Sequence, residues 1–424
     1  MQVSLYTLGC KVNYCETEKL KAEFEEAGFK IVNSTANKVD IFVLNSCAVT
    51  AKSEAKVRQI LNRARKKYKG SIIVLTGCCA SIKRQTDFQL NNVDIIVPNN
   101  KKQELVSIVK QYINTHNLLN TTPPNSVEPG IKAKTRTRAF LKIQDGCNRY
   151  CSYCIIPYAR PTVSSKPLAE IKQNILQIAA NGYKEVVFVG INLLLFGKDT
   201  NNNLLDVVEI AAQQQDIKRI RFGSLEPEVL TKELIQNLAR QTKFCPHFHI
   251  SLQSGANKIL KAMNRHYTAE EYSDLVKLIR SQFKNAAITT DIIVGFPGET
   301  EEDFNESLNF VRLQNFSKIH VFPYSIRSGT KAATMPNQVD SATKLARVKS
   351  MLKLAEAAQT EFNNSLIGTK QTILFEGKTK TQLYYGHALN YVKVCVRSQK
   401  DVTNQILEVK ITSANKDGCF GILL

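Results

Sequence analysis

Two stretches of this chain alternate short apolar, β-branched runs with helical segments. That alternation constrains the fold most, because strands separated by helices lie parallel in one sheet. In the first third, Val3 to Leu8, Ile41 to Leu44 and Ile72 to Leu75 read as strands. Glu16 to Ala27, closed by Gly28, and Glu54 to Lys69, closed by Gly70, read as the helices between them. The periodicity then stops in a polar stretch containing Pro123-Pro124, which marks a linker over residues 117–137. Beyond it come six further strand-like runs: Phe140 to Ile143, Glu185 to Val189, Arg219 to Gly223, Phe248 to Leu252, Ala287 to Val294 and Lys318 to Tyr324. Helical segments separate them, which predicts a full or partial (β/α)6 barrel with its functional groups in the loops after the strands. The last segment lacks that alternation. Gln371 to Phe375, Thr381 to Leu383, Tyr391 to Val396 and Ile406 to Ile411 read as strands of a small all-β module. The expectation is an α/β chain of three domains, residues 1–116, 138–365 and 366–424.

The cysteines acquire geometry from this pattern. Cys10, Cys47 and Cys78 each follow one of the first three strands, and loops after parallel strands gather at one sheet edge. Cys79 competes with Cys78; Cys78 is preferred because it directly follows Gly77, as Cys10 follows Gly9, and glycine lets backbone approach a bulky group. A second set, Cys147, Cys151 and Cys154, lies in the loop after the first barrel strand. Iron-sulfur cubes are ordinarily held by four thiolates, so three leave one iron open to an outside ligand. A zinc site drawing a fourth ligand from elsewhere would use the same spacing. Gly190, Asn192, Glu226, Gln253 and Gly295 occupy equivalent positions after later barrel strands, a pattern suited to a small ligand at the barrel mouth.

The surrounding sequence carries a resemblance. Cys147-x3-Cys151-x2-Cys154 with Tyr153 before the last thiol looks like the signature of the radical S-adenosylmethionine superfamily. Lys142 to Cys147, Ile155 to Arg160, Leu252 to Gly255, Met263 to Thr268, Asp291 to Thr300 and Phe322 to Thr330 resemble its methylthiotransferase branch. Thr7 to Glu18, with Lys11-Val12 after the Gly-Cys pair, is most similar to the bacterial group modifying N6-threonylcarbamoyladenosine next to the tRNA anticodon, at position 37. The segment after Asn363 resembles the TRAM domain, an RNA-binding barrel. The resemblance implies two 4Fe-4S clusters: a radical cluster on Cys147, Cys151 and Cys154, and an auxiliary one on Cys10, Cys47 and Cys78. It further implies S-adenosylmethionine at the open iron of the first, contacted by Tyr153, Gly190, Asn192, Glu226, Gln253, Gly295 and Arg265, the last a partner for the cofactor carboxylate. No side chain is assigned as general base, the reactivity residing in the cofactor. Pro161, Ser165-Lys166 and Gly223-Ser224 depart from the family pattern without touching a presumed ligand.

Charge points to the partner. Lys and Arg number 57 against 37 Asp and Glu, a net charge of +20, which favours a polyanion. The expected partners are a tRNA anticodon stem-loop and an electron donor such as flavodoxin or ferredoxin, acting on a monomer. Arg58, Arg63, Arg65, Lys66, Lys67 and Lys69 on one helix, and the tail's Tyr384, Tyr385 and Tyr391, are candidate RNA contacts. No run of 18 apolar residues and no secretory leader is seen, so no membrane partner is expected and the chain reads as cytoplasmic. Two other functions fit the same residues: methylthiolation of a ribosomal protein, and a non-catalytic iron-sulfur protein that binds RNA.

Overall fold

The computed structural model describes residues 1–82, 92–118 and 137–424, so the linker expected over 117–137 lies almost wholly outside the described residues. The chain forms two compact units. The first comprises Met1–Ala133, Asp145–Val163 and Ser325–Thr334, and the second Lys134–Gln144, Ser164–Tyr324 and Met335–Leu424.

In the first unit, β1 (Gln2–Thr7), β2 (Lys30–Ile31), β3 (Ile41–Ser46), β4 (Ile72–Gly77) and β5 (Ile95–Val97) form a parallel sheet in the order β2-β1-β3-β4-β5. Every residue of β3 and β4 is buried, as expected of strands covered on both faces by crossover helices. The helices are α1 (Lys11–Glu26), α2 (Ala51–Lys67), α3 (Cys78–Ile82) and α4 (Leu105–Thr115). On one face Val3, Ile41, Val43, Val74 and Leu105 pack with Leu20 and Phe24 of α1. On the other, Phe42, Leu44, Ile73 and Leu75 pack with Val57 and Leu61 of α2 and with Ile155 and Ala159. Those last two residues flank and end the short helix α5 (Ile156–Ala159), so the segment bearing the second cysteine set is bonded into this sheet domain's core. The register sets the strand ends level: Thr7 pairs with Asn45, and Ser46 with Gly77.

In the second unit, β6 (Arg138–Lys142), β7 (Glu185–Val189) and β8 (Arg219–Phe222) pair in parallel. After Gly223 the chain resumes as β9 (Ser224–Leu225), followed by β10 (His247–Ile250), β11 (Ala287–Val294) and β12 (Lys318–Pro323), again parallel. The order is β8-β7-β6 in a three-stranded sheet and β9-β10-β11-β12 in a four-stranded one, giving six βα units in an open, partial barrel. Its helices are α6 (Leu168–Ala180), α7 (Leu204–Ala212), α8 (Lys232–Ala239), α9 (Asn257–Ala262), α10 (Ala269–Gln282), α11 (Glu301–Leu313) and α12 (Ser341–Asn364). Phe188, Phe222, Phe248, Ile250, Ile288, Ile292 and Ile319 face these helices in one core. Because side chains alternate along a strand, His249, Thr289, Asp291 and His320 fall on the opposite, inner face.

The tail closes as a five-stranded barrel in the order β13-β14-β15-β17-β16: β13 (Lys370–Lys378), β14 (Tyr384–Ala388), β15 (Lys393–Val396), β16 (Ile406–Asn415) and β17 (Gly418–Leu423). The strand expected at Thr381 to Leu383 begins at Tyr384 instead; Gln382 takes φ +62°, a turn conformation. β17, not anticipated, completes the barrel by pairing in parallel with β15 and antiparallel with β16. Among the described residues, no helix is long and apolar enough to cross a membrane.

Candidate metal centres and barrel mouth

Level strand ends bring Cys10, Cys47 and Cys78 to one edge of the parallel sheet. Cys10 is the N-cap of α1, Cys47 follows β3 directly, and Cys78 opens α3. The thiols sense one another: Cys47 is held above its ordinary pKa first by burial and then by the charges of Cys78 and Cys10. A Cβ added at Gly9 would stand 3.0 Å from the Cys47 Cβ. Gly77 is required for the close approach on the other side. Its φ is +93°, and a Cβ there would lie 2.4 Å from the Ser46 carbonyl oxygen. Cys79 points elsewhere, donating its thiol to the Cys47 carbonyl at 2.8 Å, and burial pushes its pKa up. Cys78 instead lies within reach of the Asn99 side-chain amide, at 3.8 Å.

The second set belongs to the same compact unit. Its loop turns through backbone bonds from Cys154 N–H to the Cys151 carbonyl, 2.9 Å, and from Cys147 N–H to the Arg160 carbonyl, 3.1 Å. Tyr153 is half-buried within it. A network that sequence reasoning did not assign ties this loop to the first set. The Arg160 guanidinium, 1% exposed, donates to Glu16 at 2.7 and 2.8 Å, to Asp145 at 2.8 and 3.0 Å, and to Asn13 Oδ1 at 3.2 Å. Asn13, in the first turn of α1, donates through Nδ2 to the carbonyls of Leu8 and Ser46, the residues leading into Cys10 and Cys47. Lys102 Nζ, also buried, reaches Glu16 at 2.5 Å and Asn45 Oδ1 at 3.3 Å. Burial works against the charge of Arg160, but the Glu16 carboxylate outweighs it and raises the guanidinium pKa. Lys102 shows the reverse balance: burial lowers its pKa despite Glu16. The segment Ser325–Thr334 completes the surround. Arg327 pairs with Glu54 of α2 at 2.5 Å, and Ala332 N–H donates to the Ser152 carbonyl at 2.7 Å.

These features suit iron-sulfur clusters. Soft thiolates are the donors such clusters take, two sets of three are supplied, and buried cations stand near the first set to offset thiolate charge.

At the barrel mouth, all five residues expected there follow the C-terminal ends of strands. Gly190 and Asn192 gather around Gln144, whose Oε1 accepts from Asn192 N–H at 2.8 Å; a Cβ on Gly190 would come 2.9 Å from that oxygen. Glu226 and Arg265 are brought together as an ion pair, and Arg265 Nε donates to the Tyr267 hydroxyl at 3.1 Å. Gln253, at φ +71°, bridges strands through its backbone: its N–H donates to the Asp291 carbonyl and its carbonyl accepts from Ile293 N–H. Gly295 N–H donates to Glu299 at 2.6 Å, and Glu299 is held by Arg347 at 2.7 Å. The structure therefore joins Glu226 with Arg265, while Gly190 with Asn192, Gln253 and Gly295 each keep separate local partners.

The tail's tyrosines are less available than their spacing suggested. Tyr384 is 2% exposed in the barrel core. Tyr391 stacks on His387 with ring centroids 4.6 Å apart, under the guanidinium of Arg221 at 4.4 Å. Tyr385 is half-buried beside Lys393. Arg65 pairs with Asp94 at 2.6 Å and Lys67 with the Ser34 carbonyl at 2.8 Å, so two of the six candidate cations serve the fold, and Lys69 lies past the end of α2.

Residues 141–311 match the radical SAM superfamily, and residues 2–98 match an uncharacterised protein family, UPF0004. The chain is 36% identical over 97% of its length, and 94% of the relative's, to the threonylcarbamoyladenosine tRNA methylthiotransferase MtaB of Bacillus subtilis. It is 34% identical to the tRNA-2-methylthio-N(6)-dimethylallyladenosine synthase of Natranaerobius thermophilus, covering 98% of this chain and 95% of that one. Among solved structures, the radical S-adenosylmethionine methyltransferase TsrM of Kitasatospora setae, with cobalamin and a [4Fe-4S] cluster bound, shares the fold. The TM-score is 0.56 at 13% identity, covering 78% of this chain and 77% of that one.

Proposed function

The chain belongs to the radical SAM tRNA methylthiotransferase family, and from that premise we propose that it converts N6-threonylcarbamoyladenosine at tRNA position 37 to its 2-methylthio derivative. The observation that carries the reading is the gathering of Cys10, Cys47 and Cys78 at one sheet edge, in the compact unit that also holds the Cys147–Cys154 loop. A methylthiotransferase needs both a radical source and a place to hold sulfur, and two three-thiol sets match those two needs. Cys147, Cys151 and Cys154 would hold a 4Fe-4S cluster with an open iron for S-adenosylmethionine; Cys10, Cys47 and Cys78 would hold the auxiliary cluster. S-adenosylmethionine, when bound there, would supply the one-electron chemistry needed to functionalise a base carbon inert to acid-base chemistry.

The chain's own residues supply placement. Asn13, Glu16 and Arg160 fix the two loops in one hydrogen-bonded block, Gly77 and Gly9 clear space beside the thiols, and buried Arg160 and Lys102 balance their charge. Tyr153 in the first unit, and Gly190, Asn192, Glu226, Gln253, Arg265 and Gly295 in the second, are the proposed cofactor contacts. Arg265 would then divide its guanidinium between the cofactor carboxylate and Glu226. The basic chain would act as a monomer in the cytoplasm on the anticodon stem-loop, fed by a flavodoxin- or ferredoxin-like donor.

Nucleoside mass spectrometry of tRNA from a deletion strain tests this. The 2-methylthio derivative of threonylcarbamoyladenosine should vanish, and return with the intact gene but not with Cys10→Ala. An unchanged nucleoside profile refutes the tRNA reading.

A further inference from the structure

The relatives split between two substrates. One named group acts on threonylcarbamoyladenosine, and the other makes a methylthiolated dimethylallyladenosine. The two N6 substituents differ sharply in chemistry: one carries ureido, hydroxyl and carboxylate groups, the other is a branched hydrocarbon.

The inner face of the barrel carries a group of polar side chains that the sites above do not use. His249 on β10, Asp291 on β11 and His320 on β12 come from three successive strands, with ligand-capable atoms all within 4.8 Å of one another. The register explains it, since His249 pairs with Thr289 and Asp291 with His320. Thr289 Oγ1 lies 2.8 Å from His249 Nδ1, and Asp291 Oδ2 lies 3.2 Å from its Nε2, so both ring nitrogens are held in place. The His249 and His320 rings meet edge to face, with centroids 5.8 Å apart. His249 and Asp291 keep 18% and 28% of their side-chain surface open, enough to touch a ligand.

Below this group the barrel is closed. His247, one inward position earlier, packs on Tyr391 with ring centroids 4.9 Å apart. Arg219 donates to the His387 and Thr372 carbonyls, and Arg221 to Glu185 and the Leu389 carbonyl. One step along the strand, about 6.6 Å for two residues, separates this floor from His249. A group entering from the mouth would meet His249, Asp291 and His320 before the floor.

Seating a hydrocarbon there would desolvate the His320 imidazole and the Asp291 carboxylate without a polar replacement, which is costly. A threonylcarbamoyl group offers N–H and O–H donors to Asp291, and carbonyl and carboxylate acceptors to His320, with His249 holding the Asp291 carboxylate in place. We infer that His249, Asp291 and His320 form the subsite for the polar N6 substituent of the nucleoside, and so select threonylcarbamoyl over dimethylallyl. The inference rests on the tRNA reading above.

The test uses the full chain, reconstituted with iron and sulfide, and anticodon stem-loops carrying either nucleoside at position 37. Wild type should favour the threonylcarbamoyl RNA by at least ~100-fold in kcat/KM, since sites built for hydrogen bonding reject analogues lacking the groups. Asp291→Asn and His320→Phe should cut that preference at least ~10-fold, chiefly through a raised KM. Thr289→Val, close to isosteric and acting through His249 as a positioning change, should lower it less, with unchanged iron content. A preference untouched in all three variants overturns the subsite alone. Modification of neither RNA by wild type overturns the tRNA reading with it. Stoichiometric zinc or manganese in wild type, lost in Asp291→Asn, overturns the subsite in favour of a metal centre.

Discussion

Replacing Arg160 by methionine isolates what the buried network contributes. The methionine keeps an apolar stem in the same space but removes the charge that faces Glu16, Asp145 and Asn13. Breaking a buried ion pair by removing one partner costs about 3–5 kcal/mol, because the other charge stays buried. Two features place Arg160→Met at the lower end. Asp145 is 31% exposed, so water can take over much of its solvation. Glu16 keeps Lys102 at 2.5 Å. The expected loss is about 3 kcal/mol, which for a unit of this size is a fall in melting temperature of roughly 6–12 °C. Calorimetry of the full chain under anaerobic conditions reads it, in the transition of the first unit. The decisive comparison is the double variant with Glu16→Gln, in which a neutral acceptor for Lys102 remains and only the partly exposed Asp145 carboxylate loses its partner. Its cost should fall short of the sum of the singles by about 1.5 kcal/mol or more. Strict additivity, or a single-variant loss below about 0.5 kcal/mol, would refute the claim that this network holds the two cysteine loops together.

Cys78→Ala should lose one cluster's iron by metal analysis, whereas Cys79→Ala should keep it, because the Cys79 thiol serves the Cys47 carbonyl. Gly146→Ala should disrupt the second loop: at φ +75° its Cβ would lie 1.8 Å from the Thr162 carbonyl oxygen, so the backbone must move, and the iron of that cluster should bind weakly or not at all. The tail barrel should lose stability in acid. Burial holds His387 below its ordinary 6.5, so the unfolded chain takes the proton first and stability falls as pH drops below 6.5. Glu376, lowered by His387 and Arg138 against the burial that opposes them, adds loss of the same sign below its ordinary 4.5. Melting temperatures between pH 7 and 5 should decline, and His387→Gln should flatten the decline; an unchanged slope would contradict the assignment.

The repeating strand-helix pattern makes the parallel sheets of both units legible in the sequence. Glu185–Val189 and Ala287–Val294 coincide with strands as read from the sequence, and the other barrel strands lie within a residue or two at each end. Short runs of valine, isoleucine and phenylalanine between glycine or polar breaks admit little else, since local pattern and global fold agree there. The placement of Cys10, Cys47 and Cys78 at one edge followed from the same logic, because strand order in a βαβ unit dictates where the following loops gather. The tail was harder. β17 is closed into its barrel by a parallel pairing with β15, a long-range contact that leaves little mark on the Gly418–Leu423 sequence itself.

What the sequence determined alone was the chemistry at hand: two sets of three thiols, small and polar residues after the barrel strands, and an excess of basic residues. Only the tertiary structure decided which groups meet. Cys78 and Cys79 are adjacent in sequence and indistinguishable in composition, yet the turn into α3 sends the Cys79 thiol to a carbonyl of the neighbouring strand loop. Glu16 and Arg160 are 144 positions apart, and a buried charge finds its partner through packing that no local pattern encodes. His249, Asp291 and His320 each sit alone in their strands; register across three strands, set by hydrogen bonds and core burial, places them together.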